Sequence, residues 1–141
     1  MPKSQDSQPD SAHRHRRLRR QHASEIAEDY VEAIADLIEE QGRARVVDLS
    51  KHFGVSHVTV IRTVERLQEQ ELVHTAPYQS IKLTQTGEAM ASASRERHQI
   101  VLSFLINLGI PEATAEVDAE GIEHHVSKET LSAMQRFNQK S

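Results

Sequence analysis

Two glycines set the frame of this chain. Between residues 24 and 74 apolar side chains recur at helical spacing, and Gly42 and Gly54 cut that pattern into three pieces. Ala27, Tyr30, Val31, Ile34, Leu37 and Ile38 share one stripe, so about 24–41 reads as an amphipathic helix stopped by Gly42. Residues 46–53 (VVDLSKHF) make a second, short helix. Gly54-Val55 supplies a tight turn, and Ser56 caps a third helix running to about Gln70, with Val60, Val64 and Leu67 on its apolar face. Helix, glycine turn and capped helix form the corner that lets a second helix enter a DNA major groove. Leu72-Val73-His74, a turn at Pro77 and the alternating Ile81-Lys82-Leu83 then predict a two-stranded ribbon, or wing. The residues placed to meet DNA are Ser56, His57, Thr59, Val60, Arg62, Thr63 and Arg66 on the third helix, with Gln79 and Lys82 in the wing. A winged helix that docks protein instead of DNA has the same pattern, and both readings stand at this stage.

The second half is helical throughout. Thr84 caps a long helix reaching Leu108, with Ile100, Val101, Phe104, Leu105 and Leu108 on one stripe, ended by Gly109 and Pro111. A further helix is expected over about 111–126, and Ser127 caps the last one. The stretch Glu120-Gly121-Ile122-Glu123-His124-His125 places Glu120, Glu123 and His124 at i, i+3 and i+4, on one helical face. Such a cluster is costly to bury unless a cation balances it; the plain alternative is an exposed acidic helix. Asp29 and Glu32 repeat the i, i+3 spacing on the first helix, and His98 sits on the apolar stripe of the long one. If these three helices meet, four carboxylates and two imidazoles converge, enough for two metal ions sharing a carboxylate. With mostly oxygen donors, two imidazoles and no sulfur ligand, the set is hard and suits Mn²⁺ or Fe²⁺.

Composition narrows the rest. The absence of cysteine removes disulfides, thiolate zinc sites, iron–sulfur clusters and thiol catalysis. No apolar run is long enough to cross a bilayer and no secretory signal is present, so the expectation is a cytoplasmic protein with no membrane partner. The net charge of −4 is unevenly spread: residues 1–20 carry +4, 21–42 carry −7, 43–83 carry +2 and 84–141 carry −3. A mildly basic middle between acidic flanks suits a DNA-reading segment beside a cation-binding one. The start of the chain, with Arg14, Arg16, Arg17, Arg19 and Arg20, reads as a polar basic arm, either touching phosphates or simply solvated.

Glu28-Asp29-Tyr30-Val31-Glu32, the helix-turn-helix, Arg97-His98 and Asp118-Ala119-Glu120-Gly121-Ile122-Glu123-His124-His125-Val126-Ser127 together resemble the diphtheria-toxin-repressor-like metalloregulators, in order from about residue 25 to 138. The resemblance implies a mainly α fold: an N-terminal winged helix-turn-helix followed by a C-terminal helical metal-binding and dimerisation domain. The division expected is 1–23 as a disordered basic arm, 24–86 for DNA binding and 87–141 for metal binding and dimerisation. The family's binuclear site falls on Asp29, Glu32, His98, Glu120, Glu123 and His124, all present. Carboxylates at Asp29 and Glu120, where the iron-sensing branch has methionine and cysteine, place the chain on the manganese side. The implied function is a homodimeric, manganese-dependent repressor with two Mn²⁺ per subunit and Fe²⁺ as the alternative occupant. It would bind palindromic double-stranded operator DNA and control manganese uptake genes. Two departures stand out: Tyr78-Gln79-Ser80 at the wing tip, where relatives often carry Arg-Gly, and the longer arm. A small-molecule-responsive winged-helix repressor and a di-metal hydrolase are the competing readings; neither explains both the corner and the carboxylate/histidine set.

Overall fold

A computed structural model describes residues 8–140, and the side chains of 10–140. Six helices and one small sheet follow in order: α1 (Gln8–Gln41), α2 (Val46–Phe53), α3 (His57–Glu69), β1 (Val73–His74), β2 (Lys82–Leu83), α4 (Gln85–Asn107), α5 (Glu112–Ile122) and α6 (Lys128–Lys140). The strands pair antiparallel, Val73 opposite Leu83 and His74 opposite Lys82. Ile81 also donates its backbone N–H to Ala44 O at 2.8 Å, tying the wing to the α1–α2 connection.

The arm differs from expectation. Residues 8–23 continue α1 as one unbroken helix of 34 residues, where the sequence reading has a disordered segment; residues 1–7 of that segment lie outside the described residues. The physical reason is propagation. No glycine or proline interrupts positions 10–41, and Arg, Leu, Gln and Ala are strong helix formers. Each added turn therefore grows from a nucleus already fixed by packing at 24–41.

The helix-turn-helix closes as the glycines require. Gly54 ends α2 in the left-handed region (φ 66°), a conformation that costs an L side chain about 1–2 kcal/mol. Ser56 Oγ accepts the Thr59 N–H at 3.1 Å and caps α3, worth about 1 kcal/mol. Around this corner lies the first core: Tyr30, Val31 and Ile34 of α1, Leu49, Val60, Val64, Leu67, Leu72, Val73 and Ile81. Tyr30 stacks on Phe53 with ring centroids 4.4 Å apart.

A second core holds the C-terminal half. Val101, Leu102 and Leu105 of α4 pack on Ala115 and Ala119 of α5, flanked by Phe104, Val126, Leu131 and Met134. Leu105 and Phe104 are thus used within the protomer, while Ile106, Leu108, Val117 and Ile122 stay exposed. Helix α4 joins the two cores: Ala91 and Met90 belong to the first, Val101 onward to the second. Its start is seated hard on the connection between α3 and β1. Thr84 Oγ1 donates to Glu71 O at 2.7 Å and accepts the Gly87 N–H at 3.0 Å. A Cβ on Gly87 would lie 2.1 Å from Leu72 O, so only glycine fits there.

Candidate metal centre and DNA-reading surface

Three chain segments converge where α1 crosses α4. The fifth helix ends at Ile122, about four residues sooner than its sequence pattern suggests, and Glu123 to Val126 form the turn into α6. Glu120, Glu123 and His124 are therefore not three steps along one helical face. Glu120 remains on α5 and is exposed, whereas Glu123 and His124 turn inward. The Glu123 side chain is only 3% exposed.

Glu123 is the pivot. Its Oε2 accepts from His98 Nδ1 at 2.7 Å, and its Oε1 lies 3.6 Å from His124 Nε2. One buried carboxylate thus faces two imidazoles through its two oxygens. Donor atoms of His98, Glu120 and Glu123 all lie within 4.8 Å of one another. On the other side, His124 Nε2 is 3.3 Å from Asp29 Oδ1 on α1. Glu32, a turn further along α1, accepts from the buried Ser94 hydroxyl at 2.7 Å and lies close enough to raise the pKa of Asp29 electrostatically. Five of the six expected ligands are thus linked by contact or proximity, and Glu32 flanks them through Ser94.

Three contributors were not expected from the sequence. Glu28 Oε1 accepts from His124 Nδ1 at 3.0 Å, and its Oε2 pairs with Arg97. Glu116 Oε2 accepts from His98 Nε2 at 3.2 Å. Each imidazole therefore has carboxylates against both ring nitrogens. Glu28 did lie inside the Glu28–Glu32 word, but its partner is 96 residues away, so no local pattern shows its role.

The electrostatics follow. Burial alone disfavours the charged forms of His98 and His124, yet the hydrogen bonds they donate to Glu123 and Glu28 and the surrounding carboxylates outweigh it and raise both above the ordinary imidazole range. Burial first, then Glu120, Glu32 and Glu25, raises Asp29 despite the opposing pull of His124. Burial also raises Glu123, partly offset by its bond to His98. The carboxylates of the cluster favour positive charge at both imidazoles. A hard divalent cation carries more charge and suits the same oxygen and nitrogen donors, so this donor set fits such an ion.

The candidate reading surface is the open side of α3. Ser56, His57, Thr59, Arg62 and Arg66 are exposed and Thr63 is half-buried; Gln79 and Lys82 are exposed in the wing. Val60 is a correction. It is fully buried, because the helical repeat that puts Thr59 and Arg62 outside points position 60 into the core with Val64 and Leu67. Val58 and Ile61 stand on the open side instead, 56% and 44% exposed. Apolar side chains there can meet thymine methyl groups; the sign in the sequence was two hydrophobes off the core period. Tyr78, at the wing tip, is fully exposed and holds φ 65°.

Residues 22–81 match the family model "Iron dependent repressor, N-terminal DNA binding domain", and residues 84–140 match "Iron dependent repressor, metal binding and dimerisation domain". The transcriptional regulator MntR of Escherichia coli O6:H1 is 49% identical over 125 residues, covering 89% of this chain and 81% of that protein. The HTH-type transcriptional regulator MntR of Listeria welshimeri is 38% identical over 100 residues, 71% of this chain and 70% of that one. A solved structure described as a manganese-dependent transcriptional repressor complex with manganese superposes with a TM-score of 0.72 at 29% identity, covering 82% of this chain and 53% of its own. The chain therefore spans about half the length of that solved protein. No helix among the described residues is long and apolar enough to cross a membrane. With both halves matched and relatives this close, the chain belongs to the iron-dependent repressor family, a family of metal-binding, DNA-binding transcriptional regulators and not of enzymes.

Proposed function

We propose that this protein is a manganese-dependent transcriptional repressor: a cytoplasmic homodimer that binds palindromic operator DNA when Mn²⁺ is plentiful and so limits manganese uptake. The observation that carries the reading is the meeting of Asp29 on α1, His98 on α4, Glu120 on α5 and Glu123 and His124 in the turn after it, with Glu32 flanking them through Ser94. That meeting links the first helix of the DNA-reading half to the C-terminal half. Manganese is favoured over a softer metal by the donor set, which has four carboxylates, two imidazoles and no sulfur. Two ions per subunit are favoured by Glu123, whose two oxygens face different imidazoles; Fe²⁺ is the alternative occupant.

The chain's own residues supply the coupling. Asp29 belongs to the helix packed against α2 and the wing, while His98 and Glu123 belong to the elements of the second core. A cation held between them would pin α1 where it already packs on α4, restrict the play between reading head and dimer core, and so favour one spacing of the two α3 helices. Repulsion among the carboxylates is relieved at the same time. The test is operator binding with Mn²⁺, Fe²⁺, Zn²⁺ and chelator in parallel, on the wild type and on Glu123→Ala. The expected outcome is tight binding with Mn²⁺, loss with chelator, and a variant that no longer responds to manganese. A variant with the wild-type manganese midpoint would remove this site from the mechanism.

A further inference from the structure

Five arginines crowd seven positions near the start of α1: Arg14, Arg16, Arg17, Arg19 and Arg20. No acidic residue occurs between Asp10 and Glu25. All five arginines are exposed, and none has a side-chain ion pair or hydrogen bond with any described residue. This happens in a chain whose net charge is −4 while its first twenty residues carry +4. Uncompensated cations held on a regular helix repel one another, so the arrangement is costly until an anionic surface meets it.

Position decides which surface. At about 100° per residue, Arg16, Arg17 and Arg20 share one side of α1. Arg19 lies on the other with His15 and Leu18, where they line a groove of about 520 Å³ together with Thr63 and Arg66 of α3. The arm thus runs beside the helix that presents the reading surface. Leu18 is the only large aliphatic side chain from residue 10 to 24, so the arm has no apolar face with which to enter a lipid surface.

We propose that residues 14–20 of α1 form a second DNA contact, gripping the phosphate backbone of the duplex whose major groove α3 enters. The proposal rests on the DNA-binding reading above and adds to it a sequence-independent contact of stated chemistry. Arg14 to Arg20 spans about 9 Å along the helix axis, and phosphates follow one strand about every 3.4 Å along the duplex axis. Two to four can be neutralised at once. The same unbroken helix carries Asp29 and Glu32, so whatever holds those residues also aims the arm.

The test uses the full chain with Mn²⁺ and a random-sequence duplex, comparing wild type with a variant in which all five arginines become Gln. Glutamine keeps the helix propensity, and circular dichroism checks the helix content. The expected result is a slope of log affinity against log salt shallower by about 2–4, at about 0.9 per phosphate contact, with affinity down at least about tenfold at about 0.1 M salt. If five substitutions disturb folding, R16Q/R20Q gives the same test with a slope change of about 1–2. An unchanged slope overturns the proposal. So does arginine-dependent binding to phosphatidylserine vesicles alongside unchanged DNA binding, which would make the arm a membrane contact. Failure of the regulator reading looks different: wild-type operator binding would ignore Mn²⁺, whatever the arm does to the slope.

Discussion

Glu28 shows how a residue outside the ligand set can decide the set's behaviour. It accepts a hydrogen bond from His124 Nδ1 and pairs with Arg97, which leaves Nε2 of His124 aimed at Asp29 and Glu123. Partners that fix a ligand imidazole's tautomer commonly set metal affinity by about 10–100-fold. Glu28→Gln should weaken Mn²⁺ binding by about that factor while leaving the helical circular dichroism unchanged; titration calorimetry on the pure protein decides it. The histidines also give a pH dependence whose sign is fixed. His98 and His124 titrate above 6.5 in the fold, so without metal their contribution to stability is complete below that value and is lost as pH rises through the folded pKa values. A bound cation must displace those protons, so its affinity moves the other way. The melting-temperature gap between Mn²⁺ and chelator samples is expected to widen from about pH 6 to about pH 8. A gap that narrows would mean that the imidazoles are not displaced.

At the scale of elements, the most exacting contact is the seat of α4 on the connection between α3 and β1. Gly87→Ala would drive a methyl group into the Leu72 carbonyl, and backbone cannot yield as a side chain can. A loss of at least about 1–3 kcal/mol is expected, measurable as a lower urea midpoint. Elements of this kind were largely legible in the sequence. The second helix was placed at 46–53 and is found at Val46–Phe53, because Gly54 and Ser56 are unambiguous local signals. The wing was legible too, from a turn at Pro77 between alternating strands. What escaped had non-local causes. The fifth helix stops at Ile122 where Gly121 weakens it and where Glu123, His124 and His125 are pulled toward partners on α4 and α1, among them Glu25 at 2.6 Å from His125. The arm was read as disordered because polar composition does not show that a packed helix adjoins it. Val60 was placed on the reading surface though its own periodicity with Val64 and Leu67 already put it inside. In the candidate metal centre, the six residues expected as ligands stand out as spacing within motifs and five of them lie together, with Glu32 beside them on Ser94; the roles of Glu116, Glu28 and Arg97 depend on which helices cross.

For the whole molecule the consequential feature is that α4 runs without a break from Gln85 to Asn107, with its first turns in one core and its last in the other. A rigid rod through both halves leaves no loop about which the head could swing. On the proposed reading, the metal would act by narrowing the range of small bends and slides of α1 against α4, so that the switch works through conformational entropy and not displacement. Small-angle scattering should give almost the same radius of gyration with Mn²⁺ and with chelator, while amide hydrogen exchange along α1 slows markedly with the metal. A scattering curve that contracts strongly on adding metal would require a hinge that α4 does not contain. If a metal ion holds α1 against α4 as proposed, the two states of the regulator are two degrees of looseness in one shape, told apart by exchange rates and not by outline.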